Sequence, residues 1–247
     1  MDCHRQPAMQ APDVSGAAIG IIGKAPQAGR SKTRLAKAIG AAAASELSAC
    51  FLRDVAAAIE ALPEAIGRRG YGVYAPIGAE DIMRQLLPAS FGLLLQAGDD
   101  LGHVLIGATR ALLDAGHDCV LLVNGDSPTL PPRFLAQAID ALREPGDRMV
   151  LGPASDGGYY LIGLKRPHPQ LFRRIAWGTE TVARSTCERA TEIGLATVLL
   201  PEWYDVDDAE TLRWLLEELA GHSTRFRAGG SASASRAFLR ARLEVNP

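Results

Sequence analysis

Four apolar residues in a row, Val120-Leu121-Leu122-Val123, follow Cys119 and precede Asn124. A strand with one wet face alternates apolar and polar side chains. An unbroken apolar run suits a strand covered on both faces, as in parallel sheets packed between helices. Short apolar runs of this kind recur at 17–23, 71–75, 91–96, 119–124, 149–152, 159–164 and 196–200. Helix-like stretches separate them at 33–62, 79–87, 102–115, 132–143, 179–193 and 208–219. This alternation predicts an α/β fold, a three-layer sandwich around a mostly parallel sheet. Over 150–165 two strand-like runs follow each other without a helix, so the sheet is expected to be mixed, with one antiparallel excursion.

A chain of 247 residues with 47% hydrophobic content can bury one large core. The expected organisation is a loose polar leader over 1–16, one domain over 17–220, and a tail over 221–247. In the tail, Gly229-Gly230-Ser231-Ala232-Ser233-Ala234-Ser235 resembles a flexible linker, with room for a short helix at 236–244. A net charge of −2 and a pI near 6.2 argue against a general nucleic-acid binder. Cys3, Cys50, Cys119 and Cys187 are widely spaced, which suits reduced thiols in the cytoplasm better than disulfides or a zinc site. Neither a signal peptide nor an apolar run of spanning length is recognisable. The expectation is a soluble cytoplasmic monomer or homodimer without a membrane partner.

Between Asp13 and Glu46 no acidic residue occurs, yet Lys24, Arg30, Lys32, Arg34 and Lys37 do. The apolar run 19–23 passes into Lys24-Ala25-Pro26-Gln27-Ala28-Gly29-Arg30-Ser31-Lys32-Thr33-Arg34, and an Ala-rich helix follows. A helix start offers free N–H groups and a positive dipole end, where cations are disfavoured. Cations crowded there imply an anion, most simply the phosphates of a nucleotide. A solvated turn with basic decoration is the competing account. The loop matches neither the Walker A nor the dinucleotide-binding pattern.

Asp126 directly follows the buried run 119–124, at the strand end where open α/β sheets bind ligands. A carboxylate there could hold Mg²⁺ or Mn²⁺, or only shape an Asx-turn with Ser127 and Pro128. In Tyr204-Asp205-Val206-Asp207-Asp208-Ala209-Glu210, the pair Asp207 and Glu210 reads as a helix cap with its box partner. Asp205 lies before the cap and is the candidate second metal ligand, with Asp207 in reserve. Asp156-Gly157-Gly158-Tyr159 is a hairpin turn or a place of close approach to a ligand. Asp100 before 102–115 is a natural N-cap, and Trp177-Gly178-Thr179 reads as a helix entry capped by Thr179 or as a ring-stacking element.

In this order, these pieces resemble the bacterial glycosyltransferase-like family of arsenosugar biosynthesis. Its opening, K-x-P-x-x-G-x-x-K-T-R-L, is matched by Lys24 through Leu35. The match continues through Asp100-Leu101-Gly102, Asp126-Ser127-Pro128, Asp156-Gly157-Gly158-Tyr159-Tyr160, Trp177 and Thr179, and Trp203 to Asp207, over roughly residues 17–220. Two places depart from it: His103-Val104-Leu105, where relatives carry an acidic residue and then Arg, and Asn124-Gly125 before Asp126. The Lys-Thr-Arg-Leu element is also similar to that of 2-phospholactate guanylyltransferases. The resemblance implies the GT-A, nucleotide-diphospho-sugar transferase fold and a metal-dependent transferase. A nucleotide sugar would give its glycosyl group to a small acceptor; the alternative is a nucleotidyltransferase that takes a nucleoside triphosphate. A regulatory nucleotide-binding protein on the same fold is a third, less favoured reading. It further implies that Lys24, Pro26, Gly29, Arg30, Lys32, Thr33, Arg34, Asp100 and Gly102 bind the nucleotide. Asp126, Asp205 and Asp207 would hold Mg²⁺ or Mn²⁺. Gly157, Gly158, Tyr159, Trp177 and Thr179 would meet sugar or acceptor, and Lys32, Asp126 and Asp156 would act in catalysis.

Overall fold

The computed structural model describes residues 16–245, so most of the polar leader lies outside the described residues. Seven strands form one sheet: β1 (Ala17–Lys24), β2 (Arg68–Ala75), β3 (Gly92–Leu95), β4 (Cys119–Asn124), β5 (Arg148–Pro153), β6 (Tyr159–Leu164) and β7 (Ala196–Leu199). Their order is β3-β2-β1-β4-β6-β5-β7. β6 runs antiparallel to both β4 and β5, and the remaining pairs are parallel. β5 and β6 form the hairpin anticipated at 150–165, because the five-residue turn between them is too short for a parallel crossover.

The two-residue period of a strand sends alternate side chains to opposite layers. In β1, Ile19 and Ile21 pack with the layer of α2 (Ala41–Glu60), α5 (Pro132–Arg143) and α7 (Ala209–Leu219). Ala18 and Ile22 pack with the layer of α4 (Leu101–Asp114) and α6 (Val182–Glu192). β4 divides likewise, Leu121 and Val123 to the first layer and Val120 and Leu122 to the second. The unbroken apolar run is therefore two half-cores read in one line. Phe51 and Leu47 of α2 are wholly buried in the first, and truncating Phe51 to Ala would cost about 3–5 kcal/mol.

The helix expected over 33–62 is two helices. α1 (Thr33–Ile39) ends at Gly40, whose φ of 85° and ψ of 152° no helix accommodates, and α2 starts at the next residue. α3 (Glu80–Leu86) covers the β2–β3 end of the sheet with Met83.

Residues 229–235 do not behave as a linker. Ala232 and Ser235 are buried, and α8 (Ser233–Val245) packs on α2. The buried carboxylate of Asp54 on α2 accepts from the amides of Ala234 and Ser235 and from the Ser235 hydroxyl, at 2.8, 2.9 and 2.6 Å. A low-complexity stretch becomes ordered here because a partner 181 residues away caps its helix.

Candidate functional site

The site lies at the carboxyl ends of β1 and β4, where three segments meet. After β1, the chain turns through Gly29 at φ 77°. The Ser31 hydroxyl closes the turn, donating to the Gln27 carbonyl at 2.9 Å and accepting from the Gln27 amide at 3.0 Å. Lys32 then opens α1 in a left-handed conformation, φ 50° and ψ 50°. A lysine in that region is strained by its Cβ, so tertiary contacts must hold it.

Those contacts are two carboxylates. The Lys32 ammonium donates to Asp126, at the end of β4, and to Asp207. Arg34 donates to the other oxygen of Asp207 at 2.5 Å. The Lys32 side chain is only 11% exposed, Asp126 and Asp207 about a quarter. Burial alone would lower the Lys32 pKa, but Asp126 and Asp207 outweigh it and hold the ammonium above its ordinary value. Two of the four loop cations thus already face anions supplied by the chain itself.

Backbone hydrogen bonds bring in the third segment. The Trp203 amide donates to the Pro153 carbonyl and the Ser155 amide to the Trp203 carbonyl, so residues 203–207 extend beside β5. The Val206 amide donates to the Asp126 carbonyl at 2.9 Å, which brings its two chain neighbours, Asp205 and Asp207, to the β4 end beside Asp126. Carboxylate oxygens of Asp126, Asp205 and Asp207 lie within 4.8 Å of one another. Burial, then repulsion from Asp126, Asp207 and Asp156, pushes the Asp205 carboxyl up to about 8. Three hard oxygen donors crowded in this way fit Mg²⁺ or Mn²⁺, whose charge would relieve the repulsion.

The helix cap is displaced by one residue from the expected place. Asp208, not Asp207, caps α7, accepting from the Glu210 and Thr211 amides, and Thr211 rather than Glu210 completes the box. Asp207 is thereby released to face Lys32 and Arg34.

Two clefts share the wall formed by Ile22, Arg34 and Asp207. The first, about 380 Å³, is lined by Lys24, Arg30, Ser31, Lys32, Thr33 and Arg34 against Gly125 and Asp126. The second, about 350 Å³, lies between the starts of α4 and α6 and contains Asp156, Gly158, Tyr159, Trp177, Thr179 and Asp205. Pro26 and Gly29 shape the loop but line neither cleft, and the same holds for Asp100, Gly102 and Gly157. Asp100 caps α4 through the His103 amide at 2.9 Å. Gly102 packs under Trp177 and Phe172, where a Cβ would stand 3.1 Å from each. Thr179 is not a helix cap: α6 starts at Val182, and the Thr179 hydroxyl donates to the Ala176 carbonyl. Sequence reasoning missed Glu180, Leu101 and Leu105 in the second cleft and Ser48 and Leu52 in the first. Leu52 and Leu105 look like ordinary core positions, and Glu180 follows the Trp-Gly-Thr string without a pattern of its own.

Comparison with known proteins agrees with this architecture. A protein from Desulfovibrio desulfuricans G20, provisionally described as a nucleotide-diphospho-sugar transferase, superposes with a TM-score of 0.80 at 28% identity, over 94% of this chain and 96% of that one. The fold is that of the nucleotide-diphospho-sugar transferases. CMP:2-keto-3-deoxy-manno-octonic acid synthetase complexed with CTP follows at 0.54 and 12% identity, over 81% and 96% of the two chains. A cytidylyltransferase from Leptospira borgpetersenii serovar Hardjo-bovis (strain JB197) gives 0.52 and 11%, over 93% and 95%. Residues 58–179 match the family model described as "Uncharacterized protein conserved in bacteria (DUF2064)". No curated protein sequence matches the chain. Among the described residues, no helix is long and apolar enough to cross a membrane.

Proposed function

We propose that this protein is a metal-dependent transferase of a nucleotide-activated group, and that the group is a sugar passed from a nucleotide sugar to a small acceptor in the cytoplasm. The observation that carries this reading is the junction of the two clefts. A cationic cleft and a partly apolar, acidic one meet at Asp126, Asp205 and Asp207. The relative from Desulfovibrio desulfuricans G20, similar over nearly the whole length of both chains, supports the donor class. The motif order resembling the arsenosugar family supports sugar as the group transferred.

In this reading Lys24 and Arg30, free of the carboxylate cluster, receive the donor diphosphate, with the Thr33 hydroxyl beside them. Asp126, Asp205 and Asp207 would hold Mg²⁺ or Mn²⁺, which supplies positive charge where the leaving nucleoside diphosphate gains negative charge. Arg34, and the Lys32 ammonium once the ion has displaced it toward the cationic cleft, add positive charge near the same place, which favours the transition state over the ground state. Asp156 stands in the second cleft, its Oδ1 fixed by the Gly158 amide at 2.8 Å and its other oxygen open to take a proton from an acceptor.

The cytidylyltransferase-like neighbours keep one alternative in view: attack on the α-phosphorus of a nucleoside triphosphate with loss of pyrophosphate. Incubation with Mn²⁺ and panels of nucleotide sugars and triphosphates decides between them. Release of nucleoside diphosphate from a nucleotide sugar is expected. Pyrophosphate release from a triphosphate would install the alternative, and turnover that survives Asp126→Asn would remove the carboxylate cluster from the mechanism.

A further inference from the structure

The two clefts differ in charge as well as in shape. Lys24, Arg30, Lys32 and Arg34 border the first, against Asp126 and Asp207. The second is lined by four acidic residues, Asp156, Glu180, Asp205 and Asp207, and, among the described residues, by a single cationic one, Arg34, already bonded to Asp207. Even with a divalent cation offsetting Asp205 and Asp207, Asp156 and Glu180 line this space with no free cation among the described residues. Apart from Asn124, Thr179 and two glycines, the rest of its wall is apolar or aromatic, with Leu101 and Leu105 of α4, Leu122 of β4, Tyr159 and Trp177.

Glu180 is held there by the backbone. Gly157 has φ 87°, and a Cβ on it would stand 2.1 Å from the Glu180 carbonyl oxygen. The Ala183 amide donates to the Gly157 carbonyl at 2.9 Å. The β5–β6 turn and the entry to α6 are therefore pressed together, and Asp156 and Glu180 are presented to one space.

Resting on the transferase reading, we propose that the acceptor is an uncharged or cationic alcohol or amine with an apolar face, carrying neither phosphate nor carboxylate, and that Glu180 enforces this choice. An anionic acceptor would meet like charge with no cation among the described residues of the cleft left to pair with. A hydroxyl or ammonium would find carboxylate acceptors, and its carbon skeleton would lie on Trp177 and the leucines. In the transfer to an alcohol, its oxygen forms a bond to the anomeric carbon of the donor sugar. The bond from that carbon to the diphosphate oxygen breaks, its electron pair leaves with the nucleoside diphosphate, and the acceptor proton passes to Asp156.

The test uses three matched probes, benzyl alcohol, benzylamine and phenyl phosphate, followed by saturation-transfer NMR on the full chain. Mn²⁺ would quench the signal, so Mg²⁺ with saturating pyrophosphate fills the first cleft. A separate pyrophosphate titration reports that cleft, and its failure would count against the transferase reading rather than against the acceptor class. Benzylamine and benzyl alcohol should bind at least about tenfold more tightly than phenyl phosphate, and Glu180→Arg should narrow or reverse that ratio. Trp177→Ala should weaken all three, which places them in the second cleft. Phenyl phosphate binding as well as the others, no response to any probe, or an unchanged ratio in Glu180→Arg would each overturn the proposal.

Discussion

Replacing Lys32 with Met should make the protein bind Mn²⁺ more tightly. The ammonium lies between Asp126 and Asp207, two of the three carboxylates that would hold the ion, so the ion and the ammonium compete for the same oxygens. Each charge-assisted hydrogen bond nets about 1.5–3 kcal/mol, against which the desolvation of a largely buried ammonium must be set. With both carboxylates about a quarter exposed, a net of about 2 kcal/mol is reasonable, or about thirtyfold in Mn²⁺ affinity. The assay is calorimetric titration of Mn²⁺ into the chelator-treated protein without nucleotide, so that no phosphate contributes. Lys32→Arg keeps the charge and should not tighten binding. The methionine variant should also melt lower than wild type in chelator, with Asp126 left without its cation and Asp207 with Arg34 alone, and Mn²⁺ should restore it. Unchanged or weaker Mn²⁺ affinity in Lys32→Met would refute the competition and with it the placing of the ion among these three residues.

Three further perturbations test separate parts of the structure. The Asp205 carboxyl is pushed up to about 8, whereas in the unfolded chain it titrates near its ordinary value of about 4. Between those limits the unfolded state loses the proton while the folded state keeps it, so this group removes stability as pH rises. Metal-free Asp205→Asn should therefore melt several degrees above wild type at pH 8, each kcal/mol being worth about 2–4 °C at this size, with the gap closing toward pH 4; a gap independent of pH would contradict the shift. Asp54→Ala removes all three hydrogen bonds at the start of α8 and should cost about 2–4 kcal/mol in urea unfolding and speed tryptic cleavage at Arg227 and Arg236, while pyrophosphate affinity stays as it was. Gly157→Ala places a Cβ against the Glu180 backbone at a left-handed φ and should abolish benzylamine binding without weakening pyrophosphate binding; equal loss of both would mean that the turn supports the whole site.

Much of the fold was legible because its signals are local. All seven strands stand where the apolar runs are; β1, β4, β5 and β6, buried on both faces, write their burial into consecutive residues, whereas β3 and β7 are apolar but only half-buried or exposed. The hairpin at β5–β6 was readable from the missing helix alone. What failed was local reading of residues whose partners are far away. Gly40 breaks a helix that composition alone would carry through, and the Gly/Ser stretch 229–235 is ordered by Asp54. Asp207 and Asp208 are interchangeable as caps in sequence, and tertiary pairing with Lys32 and Arg34 decides which of them is spent on the helix.

The same long-range pairing changes how the basic loop is to be understood. An excess of cations at a helix start was a sound reason to look for an anion. Part of that anion proves to be Asp126 and Asp207, 94 and 175 residues further along the chain than Lys32. Lys24 and Arg30 are left for a ligand, while Lys32 and Arg34 are tied to the carboxylates that would hold a metal. A divalent cation entering the cluster would displace the Lys32 ammonium, and the nearest unfilled region is the cleft that Lys24 and Arg30 already border. Metal and donor phosphates would then bind with positive coupling, because each removes a cost that the other would meet alone. The strained left-handed backbone of Lys32 fits a side chain held by its partners rather than by its own conformational preference.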